Sequence, residues 1–252
     1  MERISPCPTP LAWCHKTDAF KLQQIIRSGT LRSPAPCNKF SEHLTYYCLG
    51  KPAYKDPRNT SIGTMARAPV VILMSPDIYD WRKRVFPFDS GAFFAGRYRK
   101  YMHERDELYN YDVTRLPDSP GRFISSFYKS IYDYLTHQPR PPIVPYADFY
   151  QVEALVSMLT DPDASSADDR RLVMELQIEK PIPFEWPLVR GLILPRALES
   201  NSIVSSFLSG PGRGVEVRWF DVSPLKLAIE YQALLEREAL EMQVGGGCYE
   251  RR

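Results

Sequence analysis

Three groups of residues carry side chains that can do chemistry. "LAWCHKT" (11–17) ends in His15, Lys16 and Thr17; tyrosines stand at 46, 47 and 54; and "FYQVEALV" (149–156) places Gln151 two residues before Glu153. An imidazole can hydrogen-bond a ligand, a phenol ring offers a flat apolar face with a polar tip, and a carboxylate can stabilise positive charge or take up a proton. Taken singly, each group is ordinary. A histidine in an apolar strand is commonly a hydrogen-bonded core residue, paired tyrosines pack, and a lone glutamate faces water.

The surrounding elements decide whether these groups can meet. Leu11 to His15 reads as a strand. Thr17 and Asp18 then have capping side chains ahead of "AFKLQQIIRSG" (19–29), where Phe20, Leu22, Ile25 and Ile26 share an apolar face and Gly29 fits the C-terminal stop. His15 and Thr17 therefore fall at a strand-to-helix junction. Ser41 to Leu49, with Tyr46 and Tyr47, reads as a short helix before a turn at Gly50-Lys51-Pro52. "APVVILMSP" (68–76) is a buried strand bounded by prolines, and "FPFDSGAFFAGRY" (86–98) an aromatic-rich loop around an Asp-Ser-Gly turn. "RYRKYMHERDELYNYD" (97–112) reads as a solvated surface segment, its basic residues diluted by acids. "RFISSFYKSIYDYL" (122–135) has helical periodicity, and 149–159 suits a strand or a short helix. Segments 171–182, 187–195 and 214–222 read as strands. "SPLKLAIEYQALLEREALEM" (223–242) reads as an amphipathic helix opened by Ser223 and Pro224. Short strands with helices that do not alternate regularly indicate a mixed α/β or α+β domain.

Composition narrows the class. The 252 residues are 44% hydrophobic and 25% charged, which suits one globular domain spanning 1–252 with a core large enough to need no staples. A net charge of +2 excludes a strongly basic nucleic-acid binder. Five cysteines, at 7, 14, 37, 48 and 248, form no CxxC pair, so a zinc framework is not expected and reduced thiols of a cytoplasmic protein are. No apolar run has the length of a membrane span, and "MERISPCPTP" lacks the apolar core of a secretory signal. Flexible segments are expected at 1–9, 161–169 and 243–252.

In their order along the chain, His15-x-Thr17, the tyrosines and Gln151-x-Glu153 resemble the ADP-ribosyltransferase superfamily. The resemblance is to its histidine–tyrosine–glutamate branch, shared by diphtheria-type toxins, poly-ADP-ribose polymerases and bacterial DNA-modifying toxins. "LAWCHKT" is similar to that branch's first strand, and "AFKLQQIIRSGTL" to the helix after it. The resemblance covers residues 11–55 well and 145–160 less fully. It implies an α+β fold with a split two-sheet core and flanking helices, and NAD as substrate. It further implies transfer of ADP-ribose to a macromolecular acceptor, protein or nucleic acid. A bacterial toxin or phage-defence role would bring an antitoxin or immunity protein as partner, with no membrane involved.

The same resemblance implies roles. Cleaving the bond between nicotinamide and ribose passes through an oxocarbenium-like cation, the problem glycosidases meet with carboxylates. Glu153 would stabilise that cation, with Gln151 directing the acceptor. His15 and Thr17 would bind the adenine-side ribose. Tyr47, then Tyr54 or Tyr46, would stack on nicotinamide. Glu175 in "VMELQI" and Glu216 in "GVEVRW" stand as alternatives for the glutamate, and Arg27, Lys39 or Arg58 would approach the pyrophosphate. Three other readings compete. Water as acceptor would make the protein an NAD glycohydrolase. Asp168 or Asp169 with Glu175 could hold magnesium in a nuclease. An inactive binding module could keep the fold without the chemistry.

Overall fold

The run Pro69–Met74 is apolar on both sides, and it becomes the strand about which the fold is built. In the computed structural model, which describes residues 5–53, 61–141, 149–162 and 170–243, all six of its residues are buried. This strand, β4, lies between β1 (Trp13–Asp18) and β8 (Val189–Pro195). Outward from β1 come β3 (Thr45–Leu49), β6 (Glu175–Ile178) and β5 (Arg84–Phe86). Outward from β8 comes β9 (Glu216–Phe220), parallel to it, whereas the other neighbours in this sheet run antiparallel. A separate short ladder joins β2 (Thr30–Leu31) to β7 (Ile182–Pro183).

Alternation along β4 sorts its side chains into two core clusters. Val70, Ile72 and Met74 of β4 join the larger cluster, which holds Leu22 of α1 (Ala19–Ser28), Phe123 of α3 (Ser119–Phe127) and Met158 of α5 (Tyr150–Thr160). Val71 and Leu73 face the other way, onto Leu235, Ala239 and Met242 of α7 (Gln232–Gln243). The remaining helices are α2 (Ser90–Phe94), α4 (Ile131–Leu135) and α6 (Ser202–Ser209). No helix among the described residues is long and apolar enough to cross a membrane.

Local signals produce the first unit. Asp18 caps α1 by accepting from Lys21 N–H at 2.8 Å, while Thr17 stays on β1. Gly29 ends the helix in the left-handed region at φ 65°, where a side chain would be strained. Gln243 closes α7 with its side chain accepting from Ala12 N–H at 2.8 Å, and Cys7 N–H donates to Ser125 Oγ of α3 at 3.0 Å. Residues 1–4, 163–169 and 244–252, parts of the segments expected to be flexible, lie outside the described residues.

Several elements differ from the sequence reading. The expected short helix over 41–49 is instead β3 from Thr45, because a β-branched and aromatic run suits the slot between two strands. Of the two forms left open for 149–159, the structure takes the helix, Tyr150–Thr160, with Ala154, Leu155, Met158 and Leu159 on one buried stripe. The helical pattern over 122–135 divides into α3 and α4, with Ser130 capping the second by accepting from Asp133 N–H. In the expected loop 86–98, Asp89 caps α2 by accepting from Ala92 N–H at 2.7 Å. The C-terminal helix starts at Gln232, not at Ser223, whose N–H instead donates to Tyr231 Oη at 2.7 Å.

Candidate functional site

The site forms where the sheet splits. β1 pairs with β4 along its whole length, Trp13 to Asp18, but with β3 only through Trp13–Leu49 and Cys14–Cys48. Past Cys14, β3 follows β6 and leaves β1. Strand backbone left without a ladder partner needs other hydrogen bonds. At the split a side chain bridges instead: His15 Nδ1–H donates to the Tyr46 carbonyl at 2.9 Å. Because a carbonyl can only accept, the proton of this bond sits on Nδ1.

The gap opens into a cleft of about 790 Å³ bordered by β1, α1, β2 and the entry to β3. That size is in the range of small-molecule sites. His15, Thr17 and Tyr46 line it, together with Lys16, Lys21, Arg32 and Glu179. Neither Arg27 nor Lys39 is among the lining residues, and Arg58 lies outside the described residues. The cationic residues at the cleft were missed in the sequence because nothing local marks them. Lys21 occupies the first turn of α1 and Arg32 follows β2, and only the packing of those elements brings both to the gap.

Tyr47 points away from the cleft. It is fully buried beneath the histidine, its ring centroid 5.5 Å from that of His15 at 50°. Burial drives its phenol pKa upward, and its hydroxyl has no partner at hydrogen-bonding geometry. Tyr54 lies outside the described residues.

The glutamates fall in three places. Glu153 is exposed on α5, not on the late strand the resemblance implies. With Gln151 it borders a different cleft, of about 550 Å³, beside Tyr101, His103 and Asp106. Gln151 Nε2 donates to Asp106 Oδ1 there at 3.4 Å. The structure therefore brings His15, Thr17 and Tyr46 together and leaves Gln151 and Glu153 apart from them. Glu216 sits on edge strand β9, separated from β1 by β4 and β8, and pairs with Arg218 at 2.9 Å.

Glu175 stands on β6, next to β3. Within the register it faces Cys48, and Gln177 faces Tyr46. Its side chain is buried, 1% exposed. Oε1 accepts from Ser90 Oγ at 2.6 Å and from Gln177 Nε2 at 2.8 Å, and Oε2 from Ser90 N–H at 3.3 Å. Cys37 lies within electrostatic reach of this carboxylate and hydrogen-bonds Tyr46. Burial raises its thiol pKa and the nearby Glu175 charge adds to that. Hydrogen bonds from the Tyr46 hydroxyl and from Lys39 and Phe40 N–H outweigh both and bring it below the usual thiol value.

Comparison with known proteins gives little sequence support. No protein-family model matches the chain, and no curated protein does. Among solved structures the chain is similar to DarT of Thermus sp. 2.9 in complex with NAD+, at 13% identity over 84% of this chain and 96% of that one, with a TM-score of 0.41.

Among the described residues, no group of three or more histidine, cysteine, aspartate or glutamate side chains is placed to hold a metal ion. Asp168 and Asp169, the other acids of the nuclease reading, lie outside the described residues. What the cleft offers is an imidazole, a hydroxyl, an aromatic ring and cations. A buried carboxylate stands one strand beyond. The cleft residues can hold a polar, phosphate-bearing ligand, and Glu175 is not among them.

Proposed function

We propose that this protein is an NAD-dependent ADP-ribosyltransferase. The observation that carries the reading is the adjacency of three strands: β1, β3 and β6 are consecutive in the sheet and bear His15, Tyr46 and Glu175. The resemblance asks for a histidine, a tyrosine and a glutamate in that chain order, and these three supply it on neighbouring backbone.

In this reading NAD lies along the split. With Nδ1 held by the Tyr46 carbonyl, the His15 ring hydrogen-bonds a hydroxyl of the adenine-side ribose, and the Thr17 hydroxyl adds a second contact. Lys21 and Arg32 face the pyrophosphate. Tyr46 stacks on nicotinamide. When the bond from nicotinamide nitrogen to ribose C1′ breaks, its electron pair leaves with nicotinamide and positive charge develops on the ribose. Glu175 faces that charge from a desolvated position, where a carboxylate acts more strongly than it would in water. The acceptor nucleophile then bonds to C1′ and gives up its proton to solvent. A macromolecular acceptor completes the transfer, whereas water in its place gives NAD hydrolysis.

The test uses NAD labelled in the adenylate half, with nicotinamide release measured in parallel. Wild type is expected to release nicotinamide and, in the presence of protein and nucleic-acid acceptors, to attach label to one of them. Glu175→Gln should abolish both. A folded wild type that releases no nicotinamide overturns the reading. Release without label transfer reduces it to an NAD glycohydrolase.

A further inference from the structure

We propose that Ser90 is a positioning residue for Glu175. The inference rests on the assignment of Glu175 above. Three donors converge on this carboxylate: the Ser90 hydroxyl at 2.6 Å, the Gln177 amide at 2.8 Å and the Ser90 backbone N–H at 3.3 Å. Gln177 Nε2 also donates to Ser90 Oγ at 3.0 Å, closing a triangle of side chains that are each at most 1% exposed. Asp89 fixes Ser90 in turn, since its carboxylate caps α2 through Ala92 N–H at 2.7 Å. A carboxylate on a flexible side chain would otherwise rotate about its terminal torsion. Hydroxyl, amide and backbone donors fix that rotation without cancelling the negative charge, which is what stabilising a transient cation requires. The device joins residues on α2 and β6 that are far apart in the chain.

Steady-state nicotinamide release tests it. Ser90→Ala should lower kcat by about 10- to 100-fold and leave the KM for NAD within about twofold. Ser90→Thr, which keeps the hydroxyl, should restore most of kcat. Should Ser90→Ala not fold by circular dichroism, Gln177→Met removes the second side-chain donor and carries the same expectation. Wild-type kcat in the folded variant, a loss expressed in KM, or no recovery in a folded Ser90→Thr overturns the inference alone, provided Glu175→Gln is inactive. A wild type without NAD turnover, or an active Glu175→Gln, overturns the assignment of Glu175 and this inference together.

Discussion

His15 Nδ1 lies 2.9 Å from the carbonyl oxygen of Tyr46, and this one bond spans the point where β1 and β3 part. It replaces a ladder hydrogen bond with a side chain and places a proton on Nδ1. His15→Ala should lower kcat/KM for NAD by about 10- to 100-fold. His15→Asn, whose amide can donate to the same carbonyl, should recover thermal stability but not NAD affinity. Kinetics and thermal melting read side by side check both halves.

The two glutamates should separate cleanly. Glu175→Gln keeps the size of the side chain and removes the charge, so a loss of about 100-fold or more in kcat is expected. Glu153→Gln alters an exposed helix position beside another cleft and should leave turnover within about twofold. Nicotinamide release under saturating NAD distinguishes them.

Adjacent tyrosines should behave differently because they lie on opposite faces of β3. Tyr46→Ala removes a cleft-lining ring and should raise the KM for NAD by about tenfold. Tyr47→Phe deletes a fully buried hydroxyl that lacks a partner, so stability should hold or rise by about 1 kcal/mol with unchanged KM. Denaturant unfolding measures the second effect.

A pH dependence follows from His137. Burial, then the charges of Lys51 and Arg171, lowers its pKa from 6.5 to about 3. The Lys51 ammonium rests against the His137 ring and also donates to the Tyr134 and Leu135 carbonyls at 3.3 Å, at the end of α4. Since the folded pKa is the lower one, the unfolded chain binds the extra proton between these values. Stability is therefore full above pH 6.5 and declines as pH falls towards 3, by about 1.4 kcal/mol per unit from this group. His137→Gln should flatten the decline, as seen in unfolding free energies measured from pH 7.5 to pH 4.5.

By itself the sequence determined what local chemistry can dictate. The cap at Asp18, the stop at Gly29 and the apolar runs of β4 and β8 are written in neighbouring residues, so strand, helix and the junction at His15 and Thr17 were legible. It also determined which residue types and chain order to look for. The tertiary structure decided the rest. Thr45–Leu49 is a strand because β1 and β6 flank it, with Thr45 Oγ1 donating to the Ile178 carbonyl 133 positions away. The segment around Glu153 is helical because its apolar stripe packs into the larger core. In the sequence Glu153 comes first on its Gln-x-Glu context, with Glu175 and Glu216 as alternatives, and strand adjacency alone sets Glu175 beside the tyrosine strand. Strand neighbours are chosen by pairing between residues distant in the chain, and no short window of sequence contains that information.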